Sequence, residues 1–246
     1  MDEEILAGGN STVVVRVGDT VRRTAGPWTG SVRRLLTELR LAGVSEVPAH
    51  LGLDEQGREV VEFLPGEVAG YPLPDWLWDP ALVQQAGSLL RRLHDASAPL
   101  ARQPGPWQLP AHEPREVVCH NDVAPYNMVF RDGRLVGLID FDTASPGPRI
   151  WDLAYLAYRL CPFGDDAGKA APRGRDRQRR LDQLIEAYGW DFDPAQMLRV
   201  AATRLEELAA WTDQRAVQTG RPDFRDHAAL YRRDRLRLLD LAPAPG

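Results

Sequence analysis

Residues 117–142 read VVCHNDVAPYNMVFRDGRLVGLIDFD, and this stretch restricts the fold more tightly than any other part of the chain. Val117, Val118 and Cys119 form a short apolar run that stops at the polar His120, Asn121 and Asp122, and Pro125 keeps the following loop out of regular structure. A second apolar run, 128–130, is divided from a third, 135–139, by Arg131, Asp132, Gly133 and Arg134. An Asp-Gly pair tolerates positive φ and so favours a tight reversal, which predicts a β-hairpin from the two runs. Closing that hairpin carries Asn127, at its entrance, back towards Asp140, at its exit. Asp122, in the loop just upstream, can point into the same small space.

Two carboxylates and one amide converging on a loop and two strand ends make a hard, oxygen-rich set that suits Mg²⁺ better than zinc. Magnesium in turn implies phosphate. An aspartate free of the metal can accept the proton of an attacking hydroxyl, while the other aspartate and the asparagine hold the ions that bridge a nucleotide's phosphates. Taken singly, these residues have plainer uses: Asp122 and Asn127 are ordinary turn formers, His120 a satisfied structural histidine and Asp140 a cap. The chemistry is suggested by their combination.

HNDVAPYN resembles the catalytic loop of eukaryotic-like kinases, in the short HxDxxxxN form of the aminoglycoside phosphotransferase and choline kinase superfamily, and IDFD resembles that family's metal-binding segment. The resemblance implies that Asp122 is the catalytic base, Asn127 a metal ligand and Asp140 the principal metal ligand. Asp142, two residues on, does not match a ligand position. The implied fold is α+β and two-lobed, protein kinase-like, with an N-terminal lobe (1–64) built on an antiparallel sheet plus one helix. A mostly helical C-terminal lobe (65–246) would carry the catalytic β-hairpin. The implied cofactor is Mg²⁺, with ATP or GTP as co-substrate and a small hydroxylated acceptor such as an aminoglycoside, amino alcohol or sugar.

Residues 1–64 are consistent with that lobe. Residues 12–17 and 20–23 predict antiparallel strands joined at Gly18 and Asp19. Gly8, Gly9, Asn10 and Ser11 precede them, where bare backbone amides could approach phosphate oxygens; the resembling family has a nucleotide-covering loop there. That family also places a lysine or arginine on the third strand to grip the α and β phosphates. VRRTAG occupies this place, so the expected residue is Arg22, with Arg23 the near alternative because adjacent strand residues face opposite sides. Residues 28–43 predict a helix with Val32, Leu35, Leu36 and Leu39 on one face. Kinases use a glutamate of this helix to pair with the strand cation. Here Val32 stands in that place, and Glu38 lies almost two turns later. After the strand 59–63, Leu64, Pro65 and Gly66 break the pattern as the family's hinge does, and backbone groups of Glu62 and Leu64 are the expected adenine contacts.

Further along, residues 81–96 predict an amphipathic helix with Leu82, Ala86, Leu89, Leu90 and Leu93 on one face, and 151–157 a deeply buried helix. Asp152, in its DLA setting, is assigned by the resemblance to bracing the catalytic loop. The arginine-rich segment 164–180 reads as a mobile solvated loop, followed by helices near 181–188, 194–217 and 228–241. On these helices Glu206, Glu207 and Asp213 could attract a cationic acceptor.

With 246 residues, 43% hydrophobic and a net charge of −5, the chain can bury a real core and is not a basic nucleic-acid binder. Lys169 is the only lysine, so a phosphate-binding side-chain cation in the first half must be arginine. Two scattered cysteines and the lack of a long apolar run or basic leader lead to the expectation of a cytoplasmic protein that neither contacts membrane nor binds nucleic acid. Two other functions compete with the small-molecule kinase. A catalytically idle, nucleotide-binding regulatory module fits the missing lysine and helix glutamate, and a metal-dependent hydrolase could use His120 with Asp122.

Overall fold

The structure is a computed structural model and describes residues 3–6 and 14–242. The expected phosphate-approaching residues Gly8, Gly9, Asn10 and Ser11 lie outside the described residues. The chain divides into two compact units, 1–68 with 91–149, and 69–90 with 150–246. In this grouping the hairpin of residues 128–138 falls in the same unit as the N-terminal sheet.

The first unit contains a five-stranded antiparallel sheet in the order β1-β2-β3-β5-β4. Its strands are β1 (Glu4–Ile5), β2 (Val15–Val17), β3 (Thr20–Thr24), β4 (His50–Leu53) and β5 (Arg58–Glu62). Gly18 adopts φ +60° in the turn from β2 to β3, as the expected reversal requires. Helix α1 (Thr29–Leu41) buries Val32, Leu35, Leu36 and Leu39, the face its spacing predicts.

A three-stranded sheet, β6-β8-β9, follows in the same unit, formed by β6 (Glu67–Val68), β8 (Met128–Arg131) and β9 (Arg134–Leu138). Asp132 and Gly133 take φ 51° and 70°, so the hairpin closes with the left-handed turn that Asp-Gly favours. Strand β7 (Val117–Cys119) pairs with β10 (Ser145–Gly147), a strand the sequence reading did not include.

The second unit is helical. Helix α2 (Pro80–Ser97) begins in it and ends in the first unit, and α3 (Arg149–Leu160) supplies a core of Leu153, Ala154, Tyr155, Leu156 and Tyr158. Helix α4 (Gly174–Tyr188) starts inside the segment expected to be a mobile loop. The reason is burial of arginine: Arg180 is 3% exposed, donating from Nε to Leu160 O at 3.0 Å and from Nη1 to Trp78 O at 2.7 Å. Its stem therefore packs with Leu181, Leu184 and Tyr188 on one helical face.

Helices α5 (Pro194–Thr219) and α6 (Asp223–Leu241) form a hairpin, reversed at Gly220 with φ 70°. Asp193 caps α5 by accepting from the amides of Ala195 and Gln196. Among the described residues no helix is long and apolar enough to cross a membrane.

Candidate active site

The loop after β7 is held by its histidine. His120 is 1% exposed, and its Nδ1 accepts from the Asp122 N–H at 3.1 Å. That fixes the proton on Nε2, which donates to Ile139 O at 2.9 Å. The ring packs edge-on against Phe141 with centroids 4.5 Å apart. Both ring nitrogens are thus committed to backbone groups, which removes His120 as a metal ligand and with it the hydrolase reading. The histidine ties the loop that carries Asp122 to the segment that ends in Asp140.

A second tie comes from Asn127, whose carbonyl accepts the Ile139 N–H at 2.9 Å and so sets the hairpin's entrance beside its exit. Its side-chain Nδ2 donates to both the backbone O and Oδ2 of Asp122, each at 2.9 Å. Tyr126 donates its hydroxyl to the other carboxylate oxygen, Oδ1, at 2.6 Å. Asp122 is therefore held by two neighbours in a fixed orientation. Asn121 and Asp140 both sit at φ 65°, a region that costs a non-glycine residue about 1–2 kcal/mol. Asn121 is held there by side-chain bonds to Thr143 O at 2.9 Å and Ser145 Oγ at 2.8 Å. Local strain compensated by such bonds is common where side chains must be aimed for chemistry.

The cation of the site is Arg23. Its Nη1 lies 3.0 Å from Asp140 Oδ1, its Nη2 2.9 Å from Asp142 Oδ1, and its Nε donates to Glu59 Oε2 at 2.6 Å. Arg22 points elsewhere, bonding Thr20 Oγ1 at 2.8 Å and lying 3.5 Å from Asp54 Oδ2. The sequence choice of Arg22 over Arg23 is reversed by the geometry, because strand alternation sends the two side chains to opposite faces and the Arg23 face is the one turned to Asp140.

Glu59 is the residue that sequence reasoning missed. It stands directly across from Arg23 in the β3–β5 ladder, with its side chain 1% exposed. The carboxylate that meets the strand arginine thus comes from the neighbouring strand and not from helix α1. Glu38, by contrast, lies on the exposed face of α1. A usable signal was present, since pairing VRRT against REVVE in antiparallel register sets Arg23 opposite Glu59. His50 Nε2 adds a contact 3.3 Å from Glu59 Oε1, and burial lowers the His50 pKa, which keeps the imidazole neutral.

Burial opposes the charge on Arg23, but Asp142, Glu59 and Asp140 together hold its pKa above the ordinary value. Asp142 feels the reverse balance: burial pushes its carboxyl up to about 6 against the pull of Arg23, with Asp140 and Glu59 adding to the rise. Asp140 is more open, its side chain 53% exposed.

At the hinge, the Glu62 N–H is donated to Ala49 O at 2.9 Å, so that amide is committed within the unit. Leu64 packs beneath the hairpin, where any side chain at Gly137 would meet its Cδ1 at 2.6 Å. Asp152 is fully buried in α3. Glu206 and Asp213 each form an exposed ion pair across the helix hairpin, with Arg235 and Arg232 of α6.

The model of the phosphotransferase enzyme family matches residues 106–198. Trifolitoxin immunity protein of Rhizobium leguminosarum bv. trifolii is 36% identical over 200 residues, covering 76% of this chain and 74% of that protein. A choline/ethanolamine kinase family protein from Mesorhizobium loti superposes with a TM-score of 0.68 at 19% identity, over 98% of this chain and 88% of that one. Spectinomycin phosphotransferase, solved with ADP and spectinomycin, gives a TM-score of 0.60 at 13% identity, over 99% and 89%.

Proposed function

The chain belongs to the phosphotransferase enzyme family, and on that premise we propose that it moves the γ-phosphoryl group of ATP or GTP to a hydroxyl of a small molecule, with Asp122 as the base. The observation that carries this reading is the joint fixing of Asp122 by Asn127 and Tyr126, next to an Asp140 that faces a cation.

The donor set fits a magnesium ion. Asn127 spends its Nδ2 hydrogens on Asp122, which leaves its amide oxygen to serve as a neutral ligand, and Asp140 offers a half-exposed carboxylate. The Arg23 guanidinium already stands against Asp140 as a positive group, so the site is built for cationic company. Bound there, magnesium would neutralise phosphate charge. Asn127 and Asp140 would hold it.

The remaining work falls to the chain itself. Asp122 accepts the proton of the acceptor hydroxyl as that oxygen bonds to the γ-phosphorus and the bond to the β–γ bridging oxygen breaks. Arg23, held from behind by Glu59, presents its guanidinium to the phosphates. On this reading the Glu62 carbonyl and the Leu64 backbone would receive the base. The Arg23–Glu59 pair removes the main motive for an idle module, since the position of the missing helix glutamate is filled from β5.

The relative's description as a toxin immunity protein narrows the acceptor. We infer a toxic, hydroxyl-bearing small molecule that phosphorylation inactivates, acting in the cytoplasm where nucleotide is available. The test is Mg²⁺-dependent nucleotide consumption across a panel that begins with aminoglycosides and amino alcohols and extends to other hydroxyl-bearing toxins. Asp122→Ala should abolish turnover and leave nucleotide binding largely intact. Turnover by that variant at the parent's rate would overturn the mechanism.

A further inference from the structure

In the second unit, the loop after α3 and the first turn of α4 close, with α6, around a cavity of about 320 Å³. Phe163, Asp165, Arg173, Arg177 and Arg237 are among its lining residues. The loop is anchored rather than free. Asp234, 0% exposed on α6, accepts from the Tyr158 hydroxyl at 2.8 Å and from the Asp165 N–H at 3.4 Å. Arg237 grips Asp165 with both terminal nitrogens and lies 3.4 Å from Asp234 Oδ1.

The charge of Arg237 is therefore answered by two carboxylates. Arg173 and Arg177 form no ion pair among the described residues, and Arg177 instead lies over the Phe163 ring, 4.7 Å from its centroid. Burial, followed by the proximity of Arg173 and Arg237, lowers the Arg177 pKa. Cations gathered in a concave site without matching carboxylates favour an incoming anion.

We propose that this cavity binds a phosphate dianion, free or as the phosphomonoester end of a small molecule, gripped by Arg173 and Arg177 beside the fixed Arg237. Arg173 and Arg177, neither of them in an ion pair among the described residues, match the charge of about −1.5 to −2 that a phosphate monoester carries at neutral pH, and their forked donors fit its oxygens. A volume of about 320 Å³ exceeds what a bare phosphate fills and leaves room for an organic portion. The site uses no residue of the proposed catalytic machinery, so it stands or falls separately from that reading.

The test is a calorimetric titration of the full-length protein at constant ionic strength with inorganic phosphate, phenyl phosphate and acetate. Arg173→Ala and Arg177→Ala should each weaken phosphate binding by about tenfold to a hundredfold. Arg23→Ala should leave it unchanged, because that arginine belongs to the other cationic site. Tighter binding of phenyl phosphate points to a phosphomonoester ligand, and equal binding points to free phosphate. Arg173 is exposed, so its truncation tests the site without endangering the fold. No phosphate binding by the parent protein, unchanged binding in both cavity variants, loss of binding in Arg23→Ala alone, or acetate binding as tightly as phosphate would each overturn the proposal.

Discussion

Truncating Glu59 separates what the Arg23 pair does for stability from what it does for chemistry. Glu59 and Arg23 have side chains only 1% and 10% exposed and meet at 2.6 Å. Removing one member of a buried pair costs about 3–5 kcal/mol, because the surviving charge is left in a poorly solvated place. Arg23 would keep Asp140 at 3.0 Å and Asp142 at 2.9 Å, which places Glu59→Ala at the lower end, about 3 kcal/mol. Glu59→Gln preserves shape and an acceptor for Nε, so about 1–2 kcal/mol is expected. The double variant Arg23→Met with Glu59→Leu removes both members of the buried pair and should recover part of that loss but not all of it, because Asp142, with its side chain 23% exposed, loses the same guanidinium. Its phosphotransfer should nevertheless be lost, since no cation remains to face the nucleotide. Urea unfolding read by tryptophan fluorescence gives the stabilities, and coupled nucleotide turnover gives the activity. A Glu59→Ala variant as stable as the parent, or a double variant with full turnover, would refute the reasoning.

Other positions carry simpler expectations. Glu38→Gln should leave nucleotide KM and stability within experimental scatter, because this helix carboxylate is on an exposed face; a tenfold rise in KM would restore it as the partner of the strand arginine. A Cβ at Gly66 would meet Phe130 O and Val129 Cγ1, both at 2.5 Å, so Gly66→Ala should cost about 1–3 kcal/mol in urea unfolding by forcing β6 off β8. Asp213→Ala breaks an exposed pair with Arg232 and should cost less than about 1 kcal/mol, shrinking further in high salt. Burial pushes the Cys161 thiol up to about 12 from an ordinary value near 9. Because the folded pKa is the higher one, its contribution to stability is complete below about pH 9 and is lost as pH rises towards 12. Cys161→Ala should flatten that alkaline decline, and native protein at pH 8 should resist thiol reagents until it is unfolded.

What the sequence by itself determined is local. The Asp132–Gly133 reversal, the apolar runs beside it and the helical face of Val32, Leu35, Leu36 and Leu39 depend on neighbours a few residues away, and those neighbours are written in order along the chain. The catalytic loop was legible for the same reason, since Asp122 and Asn127 meet across five residues. Composition misled where it was read without periodicity: the arginine-rich segment expected to be a loop contains the start of α4, whose register buries Arg180 among apolar side chains.

Tertiary structure decided which of two adjacent arginines faces Asp140. Alternation states that Arg22 and Arg23 face opposite ways, but only the pairing of β3 with β5, across 36 residues, shows that the Arg23 face also holds Glu59 and Asp140. It likewise paired Glu206 and Asp213 with arginines of α6, which no local pattern in the chain announces. A side chain's chemical type is set by the chain, but its charge balance is set by whatever folding brings beside it, because the strength of an ion pair depends on distance and burial and not on separation along the sequence.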